Sequence, residues 1–172
     1  MKQFWKVVMR EPSQLITKES PRQIIFEDFK LDLPITGGWG YDFESACVID
    51  KNDSTVNQAI PFNGVAIEYV FVEKRIYEEM VIFRGDDEKY SGIRWELDSQ
   101  ELLFKNNKPY DKLIFNVAGF TDEVWDELTS RFEAIQKSGK LELISELDAY
   151  RDSKALRLVR EFYFEISSFY GQ

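Results

Sequence analysis

The stretch ALRLVREFYFEISSF, residues 155–169, lies near the end of the chain, and its reading decides the fold class. Counted at helical spacing, Ala155, Leu158, Val159, Phe162, Ile166 and Phe169 form an i, i+3, i+4, i+7 stripe, and Asp152 or Ser153 stands in place to cap it. On that count the stretch is the third of three C-terminal helices. The first begins at Thr121, a capping residue followed by Asp122 and Glu123, whose negative charge suits the positive helix end. Trp125, Leu128, Phe132 and Ile135 share one face of it, and Gly139 is placed to end it. Leu141, Ile144 and Leu147 mark a shorter second helix.

Ahead of these, the pattern is short apolar and β-branched runs between turn residues. Strands are expected at 4–9, 23–29, 46–50, 65–73, 80–84, 93–97 and 112–117, with breaks at 37–38, 51–54, 61–64, 85–88 and 106–109. EYVFVEKRIYEEMVIF, residues 68–83, satisfies alternation in one half and helical spacing in the other, and is read as a strand running into a turn or bulge. Strands first and helices afterwards predict an α+β fold: a mainly antiparallel sheet from the first two thirds, covered by the C-terminal helices. The length of 172 residues suits a single globular domain, 1–172, and the 44% hydrophobic content provides its core.

Charge narrows the partners. The chain is net −9, and because residues 1–30 are net +2, residues 31–172 carry −11. Direct nucleic-acid binding is not expected, and a basic protein partner is. Acidity for solubility alone is an equally simple explanation. The apolar run in MKQFWKVVMREPSQ, residues 1–14, is too short for a signal-peptide core or a membrane span, so a cytoplasmic protein with no membrane partner is expected. The single cysteine, Cys47, is expected reduced and buried.

Catalytic and cofactor motifs fail one by one. In LPITGGWGYDFESACVID, residues 33–50, Gly38 and Gly40 begin a dinucleotide pattern, but Phe43 takes the third glycine position and no Walker lysine follows. A turn is the simpler use of these glycines. Cys47 lacks an activating histidine, since the chain has none, and that also removes the commonest general base and transition-metal ligand. Asp50, Asn52 and Ser54 open like a calcium loop, but Thr55 and Pro61 stand where glycine and glutamate are required. Asp86, Asp87 and Glu88 form one acidic knot, and Glu142 with Glu146 share a helical face, without a third ligand or acid–base partner. No catalytic residue, metal or cofactor is therefore expected.

The glycine-flanked Trp39 and Tyr41, followed by Asp42 and Glu44, suit a partner-binding loop, although Trp39 can equally pack into the core. Together with Asp86, Asp87 and Glu88 they make the candidate interface. The runs GGWGYDFESACVIDKND, residues 37–53, and NGVAIEYVFVEKRIYEEMVIF, residues 63–83, resemble bacterial immunity proteins of contact-dependent and other polymorphic toxin systems. The resemblance implies a small, acidic, cytosolic, non-enzymatic protein that neutralises a cognate toxin by tight binding. A nuclease toxin, basic for its own substrate, suits such an inhibitor. The competing readings are a small-ligand-binding or carboxylate-dependent enzyme, marked by a pocket with converging acids, and an adaptor domain, marked by a flat acidic face.

Overall fold

The computed structural model describes residues 14–172. The strand expected at 4–9 lies outside them. In chain order the described elements are α1 (Pro21–Phe29), β1 (Ile35–Gly37), β2 (Cys47–Ile49), α2 (Gly64–Tyr77), β3 (Tyr90–Lys105), β4 (Lys108–Thr121), α3 (Asp122–Ser138), α4 (Ile144–Lys154) and β5 (Leu156–Glu165). A single π-helical turn, Glu78–Ile82, extends α2. The fold is α+β.

All five strands share one sheet in the order β1-β2-β5-β4-β3. The sheet is mixed rather than mainly antiparallel, because β5 lies antiparallel to β4 but parallel to β2, with Cys47 opposite Phe164. The C-terminal stretch is thus the central strand and not a helix. Its inward positions are Leu158, Arg160, Phe162 and Phe164, and its outward ones include Arg157, Val159 and Glu161, a period of two. Arg160 breaks the apolar alternation, and Val159 and Phe169 supplied a false helical one.

The segment at 65–73 is corrected in the opposite direction. Asn63 accepts a hydrogen bond from the Ala66 amide, capping α2, and the helix buries Ile67, Phe71, Val72 and Ile76. Residues 23–29 belong to α1, where Ser20 caps and Pro21 takes the first turn. Residues 80–84 fall at the π-helical turn and just past it.

The helix seated on the buried sheet face is α2, from the middle of the chain, with Phe71 edge-on to Phe164 at 5.3 Å. The C-terminal helices cover less than expected: α3 buries only Leu128 and Ile135, and α4 buries no residue. The ends of α3 follow the sequence expectation. Thr121 caps it, and Gly139 closes it in the left-handed region. The β3–β4 hairpin turns through Asn106 and Asn107, both left-handed as a two-residue turn requires. Among the described residues no helix is long and apolar enough to cross a membrane.

Candidate interaction surface

The glycine-rich loop between β1 and β2 is a tight turn. Gly37 has φ +84°, and a Cβ there would sit 2.3 Å from the Ala46 carbonyl oxygen. The turn directs Trp39 inward, where it is 6% exposed and packs against Phe71 at 5.7 Å. Its ring belongs to the core and is not presented to a partner. Tyr41 also turns inward: its hydroxyl donates to Glu79 Oε1 at 2.5 Å and accepts from the Leu15 amide at 2.9 Å. Asp42 and Glu44 remain at the surface. Asp42 accepts from the Ser45 amide and hydroxyl, both at 2.7 Å, which holds its pKa below the ordinary value. Glu44 pairs with Lys105 at 2.7 Å.

Tyr41 leads into a buried charge cluster that local sequence reading does not expose. Arg75 on α2 is fully buried, its guanidinium sandwiched between the rings of Phe162 at 3.7 Å and Tyr41 at 4.1 Å. It donates to the backbone oxygens of Trp39 and Glu161 at 2.9 and 2.7 Å. Glu79 faces Arg75 at 3.2 Å and Arg160 at 3.0 Å, one carboxylate between two guanidiniums. Burial pushes Arg75 down to about 10, which still leaves it charged at neutral pH. On the next face Lys74 pairs with Glu78 at 2.6 Å and with Asp28. The Arg75–Glu79–Arg160 group fixes α2 against β5, and the Lys74–Asp28 pair fixes it against α1. The Arg160–Glu79 pair spans 81 positions, which hides it from any motif search, whereas Lys74–Glu78 and Arg75–Glu79 are i, i+4 neighbours.

Asp86, Asp87 and Glu88 sit in the turn before β3, while Lys105, the partner of Glu44, ends it. A 16-residue strand spans roughly 50 Å. The two acidic loops therefore stand at opposite ends of the sheet and form no common patch. The first residues of β3, just past the Asp86–Glu88 turn, meet α3. Tyr90 pairs with Thr121, the α3 cap, and the Ser91 hydroxyl donates to Asp122 at 2.6 Å. Gly92 presses against the Trp125 ring, with no room for a Cβ.

On α3 the positions assigned to a core stripe divide in two. Leu128 and Ile135 are buried, whereas Trp125 is 38% and Phe132 44% exposed. At 100° per residue Asp122, Asp126 and Glu133 form a line beside those rings. The result is a helix face on which two half-exposed aromatic rings stand beside three carboxylates. The aromatic spacing was visible in the sequence, but nothing local showed that the sheet would bury only two of the four apolar positions.

Two further groups complete the survey. Cys47 is buried and its thiol is pushed up by burial. Glu68 on α2 is 3% exposed and faces Asp111 on β4; burial, then the Asp111 charge, push it up to about 8. Among the described residues no three His, Cys, Asp or Glu side chains gather to hold a metal ion. No family model, curated protein or solved structure matches this chain.

Proposed function

We propose that this protein is a cytoplasmic immunity-type inhibitor that neutralises a basic toxin domain by binding and blocking it. The observation that carries the reading is the face of α3 where Trp125 and Phe132 stand half-exposed beside Asp122, Asp126 and Glu133. Aromatic rings that keep one face in solvent are the usual anchors of protein interfaces, and a rim of like charge steers an oppositely charged partner. The Asp86–Glu88 turn extends this rim, and the −11 of residues 31–172 reinforces it at long range. Asp42 and Glu44, at the far end of β3, contribute to the general field rather than to the docking face. The buried Trp39 and half-buried Tyr41 position the loop.

The test is a titration against the toxin encoded beside this gene. Trp125→Ala or Phe132→Ala speeds dissociation and costs at least about 2 kcal/mol, as expected for a hot spot. Neutralising Asp86, Asp87 and Glu88 to Asn, Asn and Gln mainly slows association, and rising salt slows the wild type in the same way. Absence of binding at low salt, together with no protection on coexpression, overturns the immunity reading. Unchanged kinetics in the α3 variants overturn the docking face alone.

A further inference from the structure

A cavity of about 580 Å³ opens between the C-terminal end of α1, the loop at 51–63 and the first turns of α2. This is within the range of small-molecule sites. Its inner wall is apolar and firm: Ile67 belongs to the core, Val70 packs beside it, and Phe62 is held edge-on to Phe169 at 5.1 Å. At its mouth Phe26, Leu31 and Ile60 are 50%, 43% and 68% exposed, a cost in apolar surface left in water.

The walls are preformed by a single side chain. Arg22 on α1 donates to both carboxylate oxygens of Asp32 at 2.7 and 3.1 Å, to Asp53 at 2.8 Å and to Thr55 at 2.9 Å. It thereby ties the helix to the loop that flanks the cavity. The same contacts occupy the one carboxylate in the cavity lining, Asp32.

Two lysines of the lining are left without a carboxylate. Lys30 donates to the Glu27 carbonyl at 2.7 Å and Lys51 to the Gln172 side-chain oxygen at 2.8 Å, both neutral acceptors. Neither has an acidic partner among the described residues. In a chain of net −9 this is a local reversal of sign, and it sits at the edge of an apolar chamber.

We infer that this cavity binds an amphiphile with an apolar tail and an anionic head, a free long-chain carboxylate, with the tail against Phe62, Ile67 and Val70 and the head between Lys30 and Lys51. The apolar wall accepts a hydrocarbon chain without any hydrogen-bond requirement. The ammonium groups select the sign of the head. The inference does not depend on the toxin reading.

Calorimetric titration of the purified full chain with monomeric dodecanoate, dodecanol and dodecyltrimethylammonium tests it. Dodecanoate binds one to one, and the cationic analogue binds at least about tenfold more weakly. The Lys30→Gln, Lys51→Gln double variant, at two surface positions, loses about tenfold for dodecanoate and nothing for dodecanol. Ala66→Trp, which fills the cavity from the exposed side of α2, abolishes binding while its thermal unfolding remains cooperative. If that variant fails to fold, the lysine pair decides alone. No heat with dodecanoate overturns the inference, as does equal binding of the cationic analogue. Unaltered affinity in the lysine variant, or association only with phosphatidylglycerol vesicles, overturns it equally.

Discussion

Glu68→Gln isolates the energetic consequence of burying a carboxyl against another carboxyl. Glu68 lies in the second turn of α2, 3% exposed, and faces Asp111, which accepts from Gln100 at 2.7 Å. Burial raises the Glu68 pKa first and the Asp111 charge adds to it, from 4.5 to about 8. Between those values the folded chain holds a proton that the unfolded chain has released. The sign follows: the contribution is fully present below pH 4.5 and is lost as pH rises through 8. The slope is about 1.4 kcal/mol per pH unit, so the ceiling between pH 5 and pH 8 is about 4 kcal/mol. Half of that, about 2 kcal/mol, allows for relaxation and water at the pair. Glutamine keeps the shape and a hydrogen-bond donor while removing the titration. Urea unfolding at pH 5, 6, 7, 8 and 9 reads the difference. The variant is expected to gain at least about 2 kcal/mol relative to wild type from pH 5 to pH 9. A difference that stays constant across this range refutes the reasoning, because it means that Glu68 titrates alike in the folded and unfolded chains.

Two substitutions test the centre of the fold. Phe162→Ala removes a fully buried ring that packs edge-on to Phe115 at 5.6 Å and lies under Arg75, and it is expected to cost about 3–5 kcal/mol; an unchanged urea midpoint shows that β5 is not central. Glu79→Gln leaves Arg75 and Arg160 without their shared counter-charge and is expected to cost about 3–5 kcal/mol, whereas a loss below about 1 kcal/mol shows that the guanidiniums are matched by other groups.

The sequence was most legible where structure is local. Thr121, Asp122, Glu123 and Gly139 mark the ends of α3 because capping and the helix dipole act within a turn. Asn106 and Asn107 mark the hairpin for a similar reason. Ser20 and Pro21 carried an equally local start signal for α1, but the apolar run after them was read as a strand. The exchange of helix for strand at α2 and β5 has one physical cause. Lys74 and Arg75 on α2, Glu78 and Glu79 on its π-helical extension and Arg160 on β5 face inward, so charged letters occupy buried or half-buried positions on both elements. Lys74–Glu78 and Arg75–Glu79 are i, i+4 pairs that become legible only once the segment is a helix, and Arg160 lies 81 positions from Glu79, so periodicity counted on apolar letters alone goes astray. The candidate surface follows the same division. The acidic knot at 86–88 was visible as composition, but the meeting of β3 with α3 just past it depends on the β3–β4 register. The inward turn of Trp39 depends on Phe71, a contact with a helix that was read as a strand.

The parallel pairing of β2 with β5 bears on how the chain assembles. Ser168 accepts from the Lys51 amide and donates to the Ile49 carbonyl, contacts that close 117 and 119 positions. During synthesis β1 and β2 have no sheet edge to join until β5 has left the ribosome, and Arg75 waits for the Glu161 carbonyl. The β3–β4 hairpin, closed by a two-residue turn, has no such delay. Folding is therefore expected to run from the C-terminal meander towards the N-terminal strands, against the order of translation. Pulsed hydrogen exchange would show protection at 108–121 preceding that at 47–49; the opposite order would place the long-range closure first.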